Sequence, residues 1–262
     1  MRPCYIHDSM EILKNPSLAK PLFMGKNSPF FDACLYSGMG SVYADRSKKP
    51  KSAIALIGDF AMLGGQPSEA LLKRFLTFRS EAYLILVGPD QQWNKLIEIV
   101  FNSRAKAFTR YALKKNEHSF DEATLKKSVD SLKNGFVLQP IDEWLCHRCL
   151  SESWSKDLVA LFTNYAQYAE HGRGFCVLKD GNIVSGASSY YYYEKGIEVE
   201  VDTHPDYRAQ GLATACCAQL IQSCMQQGIF PSWDAHTTTS LHLALNLGYH
   251  FDYAYTAYEI NG

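Results

Sequence analysis

Val199-Glu200-Val201-Asp202-Thr203-His204-Pro205-Asp206-Tyr207-Arg208-Ala209-Gln210-Gly211-Leu212-Ala213 is the stretch on which the fold turns. Apolar Val199 and Val201 alternate with Glu200 and Asp202, the period of a strand with one face buried. A tight loop follows and opens into a helix through Arg-x-x-Gly-x-Ala. That helix, Leu212–Gln227, carries Ala213, Cys217, Leu220, Ile221, Cys224 and Met225 as an apolar stripe and stops at Gly228. A helix start of this kind leaves backbone N–H groups unpaired at the positive end of the helix dipole. It is an anion site suited to a pyrophosphate. Gly211 lets the backbone come close, Ala213 keeps the first turn free of bulk, and Arg208 adds a charged donor.

The surrounding pattern is consistent with that reading. Gly135–Pro140 reads as a short strand and Asp142–Glu170 as one or two aromatic-rich helices. Phe175–Leu178 and Ile183–Tyr193 are strands joined through Lys179-Asp180-Gly181-Asn182, where Asp-Gly is a hairpin signal. Ile197–Thr203 is the next strand, Ile229–Ala235 a short strand, Thr238–Leu247 a helix stopped by Gly248, and Phe251–Ile260 a final aromatic strand. The order from Asn134 onward is β-α-α-β-β-β-α-β-α-β. Tyr190–Tyr193 places four tyrosines in one strand, so two are expected to pack inward and two to cover the other face.

These residues resemble a known family. Arg208-x-x-Gly211-x-Ala213 is similar to the acetyl-CoA pyrophosphate loop of GNAT N-acetyltransferases, and Ser240 with Leu247-Gly248-Tyr249 resembles their last helix and its Leu-Gly-aromatic ending. The resemblance covers residues 134–262. Thr203–Ala213 with Pro231-Ser232-Trp233-Asp234-Ala235-His236 also resembles the zwittermicin A resistance type, which carries an N-terminal α/β extension. The expected fold is therefore mixed α/β: an N-terminal α/β domain of unknown role over 1–133 and a GNAT domain over 134–262.

The resemblance implies acetyl-CoA as co-substrate and no metal. The strand of Val199–Thr203 should splay from that of Ile229–Asp234, with the pantetheine arm bonded near Val201 and Thr203. A backbone N–H there would also stabilise the oxyanion of acyl transfer. The cofactor-binding set is Val201, Thr203, Arg208, Ala209, Gln210, Gly211, Leu212, Ala213 and Thr237. An amine attacks only when neutral, so a carboxylate or a bound water must take its proton. Glu198 and Glu200 are the candidate bases. Alternation puts them on one face, whereas Val199 occupies the position usually aligned with the family's Glu, so a match requires a bulge. Where many members carry an Asn and a Tyr, this chain has Thr237 and Ala244. Thr237 can still donate a hydrogen bond, but Ala244 cannot protonate a leaving thiolate. Tyr249, His236 or His242 stand as substitutes, or the thiolate takes its proton from water. Asp234 is either a carboxylate that binds the amine or a cap for the next helix.

The N-terminal half shows no family motif. Its first ~50 residues read as irregular, rich in Pro, Gly, Ser and Lys. Ser52–Gly58 reads as a buried strand ending in Gly58-Asp59-Phe60 and a Gly64-Gly65 turn, followed by a helix from Pro67 to about Ser80. Ala82–Val87 is a second strand, Pro89 opens a helix with Trp93, Leu96, Ile97 and Val100, Ala105–Leu113 is a further strand, and Phe120–Leu132 a charged helix. Gly58–Gln66 lacks the endings of a phosphate-binding loop, and a tight strand-to-helix turn explains its glycines.

Composition narrows the function classes. With 262 residues, 47% of them hydrophobic, the chain has ample material for a core. Its 26 basic and 27 acidic residues argue against a partner held by phosphate neutralisation, hence no nucleic acid. Apolar runs such as Ala53–Gly58 are far shorter than the ~20 residues of a membrane span, hence no membrane partner. Met1–Asp8 has no apolar stretch of signal-peptide length, which points to the cytoplasm. Cys146 and Cys149 form a C-x-x-C without further ligands at zinc spacing, and read with Cys216, Cys217 and Cys224 as core residues. The expected function is transfer of acetyl to a primary amine of a small molecule, an antibiotic or metabolite. The alternatives are a non-enzymatic acyl-CoA-binding sensor with a degenerate site, and an N-terminal interaction module that makes a homodimer.

Overall fold

The computed structural model describes residues 10–23, 28–79, 83–116 and 118–261. In chain order it begins with β1 (Glu11–Ile12), α1 (Pro29–Tyr36), β2 (Ser41–Ala44), β3 (Ser52–Ile57), β4 (Phe60–Gly65), α2 (Glu69–Arg79), β5 (Leu84–Val87), α3 (Gln91–Phe101) and β6 (Ala105–Leu113). There follow α4 (Glu122–Asp130), β7 (Phe136–Pro140), α5 (Glu143–Ser151), α6 (Tyr165–His171), β8 (Gly174–Lys179), β9 (Asn182–Tyr193) and β10 (Gly196–Thr203). The chain ends with α7 (Leu212–Gln226), β11 (Phe230–Ser232), β12 (Asp234–Ala235), α8 (Thr238–Asn246) and β13 (Phe251–Ile260). Two compact units result, one running to Thr109 and including the stretch from Thr256, the other spanning Arg110–Tyr255. Their boundary falls inside β6 and inside β13, upstream of the change of sequence pattern at Asn134.

In the first unit β2, β3 and β4 pair antiparallel, β4 pairs parallel with β5, and β5 pairs antiparallel with the end of β13 through Leu84↔Ile260 and Leu86↔Tyr258. Every residue of β3 is buried, as an unbroken apolar run requires of an inner strand. Ile54, Leu56, Ala61 and Leu63 pack with Leu71, Leu72 and Phe75 of α2 and with Trp93, Ile97 and Phe101 of α3. Each of the buried leucine, isoleucine and phenylalanine side chains contributes about 1.5–3 kcal/mol. Asp90 starts α3 by accepting the N–H groups of Gln92 and Trp93.

Two expectations for this unit are corrected. The first ~50 residues are not irregular, because α1 buries Phe30, Phe31 and Cys34 and β2 joins the sheet. The Gly64-Gly65 pair is not a turn after β3 but the end of β4. Its glycines conceal a strand, and a Cβ on Gly64 would collide with the Phe23 ring. Met1–Asp8, Ser80 and Ala82 lie outside the described residues.

The second unit holds a five-stranded sheet in the order β11-β10-β9-β8-β7, antiparallel except for β10 with β11. The turn between β8 and β9 has Asp180 and Gly181 at φ 49° and 78°, the left-handed pair that Asp-Gly favours. α7 packs its stripe of Leu212, Cys216, Cys217, Leu220, Ile221 and Cys224 against Val184, Ala187, Ile197 and Val199. The seven described cysteines are free and buried, and Cys149 Sγ lies 4.0 Å from Cys176 Sγ. No described helix is long and apolar enough to cross a membrane.

Candidate functional site

The parallel ladder between β10 and β11 is short. It joins Gly196↔Phe230, Ile197↔Pro231 and Glu198↔Ser232 and then ends, although β10 runs on to Thr203. The expected single strand Ile229–Ala235 is in fact two. After Trp233 the chain changes neighbour, and Asp234 and Ala235 pair antiparallel with Ala112 and Tyr111 of β6. Trp233 anchors the departure, with its indole N–H donating to Ser240 Oγ at 3.1 Å and its ring against Tyr249. Val199–Thr203 therefore keep β9 as their only strand neighbour among the described residues. The splay expected of this pair is present.

Where the strands part, the register between β10 and β9 slips. Glu198 faces Tyr191 but Val199 faces Ser189, so Tyr190 is the extra residue of a bulge. Along this strand Tyr191 and Tyr193 are buried while Tyr190 and Tyr192 stay half-exposed, the two-and-two division expected of the run.

The open edge leads into the loop. Thr203 bonds Ser185 Oγ through its hydroxyl at 2.8 Å, and its carbonyl accepts Arg208 Nε at 3.3 Å, which ties Arg208 to the strand exit. Ala209 has φ 58° and Gly211 φ 80°, and Gly211 stands as the N-cap of α7. A left-handed alanine costs about 1–2 kcal/mol, strain that a binding loop can carry. No side chain caps α7, and no acidic residue lies in its first turn. Arg208, Gln210 and Gly211 are exposed, while Leu212 is buried beneath them. The start of a fifteen-residue helix is thus left open to an anion.

A buried polar cluster occupies the point of divergence. Glu198 Oε1 accepts the Asp234 N–H at 2.8 Å, and Oε2 accepts the Tyr191 hydroxyl at 3.3 Å. Burial, reinforced by the Asp234 charge, pushes the Glu198 carboxyl up to about 8. Asp234 does not cap α8. Its carboxylate holds Arg110 Nε at 2.7 Å and accepts the Tyr255 hydroxyl at 2.9 Å, and Arg110 Nη2 also donates to its carbonyl at 3.0 Å. Burial raises the Asp234 carboxyl, while the Arg110 charge and these hydrogen bonds work the other way. Arg110 Nη1 lies 3.1 Å from His236 Nδ1.

The remaining candidates divide. Glu200 is half-buried on β10, opposite Ser188. Thr237 caps α8 by accepting the Ser240 N–H at 3.1 Å, which leaves its hydroxyl proton available to a ligand. Tyr249 is buried in the core, donates to the Pro231 carbonyl at 2.6 Å, and burial raises its hydroxyl well above the usual value. His242 lies exposed on α8. Arg110, Tyr191 and Tyr255 were not singled out by the sequence. A lone arginine in the middle of an otherwise strand-like run was the available signal for Arg110. Among the described residues, no group of three or more His, Cys, Asp or Glu is placed to hold a metal ion.

Comparison with known proteins follows the same lines. A family model described as GNAT acetyltransferase matches residues 20–258. The chain is 27% identical over 259 residues to an uncharacterised N-acetyltransferase, YdfB, of Bacillus subtilis (strain 168), covering 94% of this chain and 95% of that one. A crystal structure of a GCN5-related N-acetyltransferase-like protein from Streptococcus suis 89/1591 aligns with a TM-score of 0.88 at 45% identity, over 94% of this chain and 98% of that one. A tandem GNAT protein from the clavulanic acid biosynthesis pathway aligns with a TM-score of 0.56 at 11% identity, over 96% and 98% of the two chains, and so shares the fold alone.

Proposed function

The chain belongs to the GNAT acetyltransferase family, and from that premise we propose that it is an acetyl-CoA-dependent N-acetyltransferase acting on the primary amine of a small molecule. One observation carries the reading: the β10 edge, free of β11 beyond Glu198, runs directly into the uncapped start of α7. Backbone groups of Val201 and Thr203 would hold the pantetheine arm, and the 208–213 loop, with Arg208, the pyrophosphate. Thr237 adds a hydroxyl donor. When bound, the co-substrate supplies an acetyl thioester. The left-handed Gly211 and the small Ala213 fit a bulky anion against the backbone.

Glu198 is the base of this reading, in preference to Glu200, because it sits where the strands part. Its carboxyl, pushed up to about 8, has a proton affinity close to that needed to relieve an ammonium near neutral pH. Only the ionised form takes a proton, so transfer rises with pH through about 8 and levels off above it. Tyr249 has no acid role here, since its proton is held on Pro231 and its affinity for that proton is high. The resemblance to the zwittermicin A resistance type and the near-neutral charge favour a small polar amine. A cytoplasmic location and homodimer formation belong to the same reading.

The test is isothermal titration with acetyl-CoA, comparing the native chain with an Arg208→Glu/Gly211→Asp variant, followed by free-thiol release with a panel of small primary amines. Binding abolished in the variant, with thiol release that depends on an amine, is expected. Absence of binding by the native chain would overturn the reading.

A further inference from the structure

Arg110 makes more contacts with Asp234 than a simple ion pair needs. The register Asp234↔Ala112 places Arg110, two residues before Ala112, on the same face of the β6–β12 ladder as Asp234. The small Ala112 leaves room for the guanidinium to reach across. It meets the side chain at 2.7 Å, the main-chain carbonyl at 3.0 Å and His236 Nδ1 at 3.1 Å. Side chain and carbonyl of Asp234 are thus held by one planar donor, and Tyr255 holds the carboxylate from β13. The peptide of Asp234 is clamped, and its N–H donates to Glu198 Oε1 at 2.8 Å. The Glu198 carboxylate stands where the next rung of the β10–β11 ladder would be.

We propose that Arg110 is a positioning residue for acetyl transfer: by gripping Asp234 through side chain and backbone, it aims the Asp234 N–H at Glu198 and sets how readily Glu198 takes a proton. The inference rests on Glu198 being the base, and its test is independent of activity. The groups acting on Glu198 are Tyr191 of β9, Asp234 of β12, Arg110 of β6 and Tyr249 after α8, while His236 after β12 and Tyr255 of β13 act on Asp234 and Tyr193 of β9 on Tyr191 and Tyr249. Of these, the Asp234 charge raises the proton affinity of Glu198, whereas the Asp234 N–H, the Arg110 charge and the Tyr191 hydroxyl lower it. Removing one or the other charge must therefore shift Glu198 in opposite directions. Removing Asp234's charge leaves the backbone N–H in place, and removing Arg110's leaves two carboxylates sharing the site without the guanidinium.

The experiment is a carbon-13 NMR titration of the full chain labelled at glutamate carboxyls, with Glu198 assigned by Glu198→Gln. The native midpoint should lie near 8. Asp234→Asn should lower it by about one pH unit and Arg110→Met raise the upper midpoint of the pair by about one unit. Arg110→Lys keeps the charge but loses the planar fork that holds side chain and carbonyl together, so the midpoint should rise by about half a unit, short of the rise in Arg110→Met. Circular dichroism reports folding; if Arg110→Met does not fold, Arg110→Lys still decides, because a native midpoint in that variant overturns the grip. Shifts of the same sign, or midpoints unchanged in both charge-removing variants, overturn the proposal. Amine-dependent thiol release by Glu198→Gln at the native rate would instead overturn the base reading while the opposite NMR shifts stood.

Discussion

Among the described residues the chain contains two parallel crossovers of the same plan, one in each unit, and they treat their helix starts in opposite ways. In β4–α2–β5 the strand ends on Gly65 at φ 73°, and in β10–α7–β11 the loop ends on Gly211 at φ 80°. At α2, Ser68 Oγ accepts the Leu71 N–H at 3.2 Å and Glu69 brings a negative charge into the first turn. At α7 there is neither a cap nor an acid. The end of β4 is also satisfied from within, because the buried Trp93 indole donates to the Gly65 carbonyl at 2.9 Å. Crossover topology alone therefore does not make an anion site. A helix start becomes one only where the chain's own side chains leave its N–H groups unclaimed.

Stoichiometry is the strongest way to break this comparison. Titration should give one acetyl-CoA per chain, and Arg208→Glu/Gly211→Asp should weaken binding roughly 100-fold or more, as expected from losing two charge-assisted contacts at about 1.5–3 kcal/mol each. Two sites per chain would refute it. The paired glycines sharpen it next. In Gly65→Ala the new Cβ meets the Lys51 carbonyl, so thermal denaturation should show a loss of about 2 kcal/mol or more with acetyl-CoA affinity unchanged. Gly211→Ala has nothing within 4 Å and should cost only about 1 kcal/mol of stability from its φ, while affinity falls. The reverse pattern would mean that the roles of the two turns are exchanged. Trp93→Phe orphans the Gly65 carbonyl and should lose about 1–3 kcal/mol in chemical denaturation, again with native affinity. The smallest effect is expected of Ser68→Ala, about 1 kcal/mol from the lost cap and no gain of binding; a second binding event in that variant would show the cap alone had closed the site.

Much of the second unit is legible in its local pattern. The bounds of β6 and β13, the Asp-Gly hairpin and the stripe of α7 all follow from period and turn chemistry, which act over a few residues. β4 is not legible, because glycines placed for close approach to Phe23 look like a turn. Nor is the break at Trp233, since Ile229–Ala235 reads as one short strand and only the competition between β10 and β6 for its backbone divides it. The site shows the same limit. Arg208, Gly211 and Ala213 are readable as a loop, whereas Arg110 and Asp234, 124 residues apart, form an ion pair that no spacing announces.

By itself, then, the sequence determined most elements of the second unit and the glycine-led, uncapped start of α7, because propensity, capping and left-handed glycine are properties of neighbouring residues. Only the tertiary structure decided where β10 and β11 part, that Tyr249 spends its proton on a carbonyl, and that Glu198 is buried beside Asp234 and Arg110. Proton affinity is set through space by burial and nearby charge, and those distances exist only once the strands have chosen their partners.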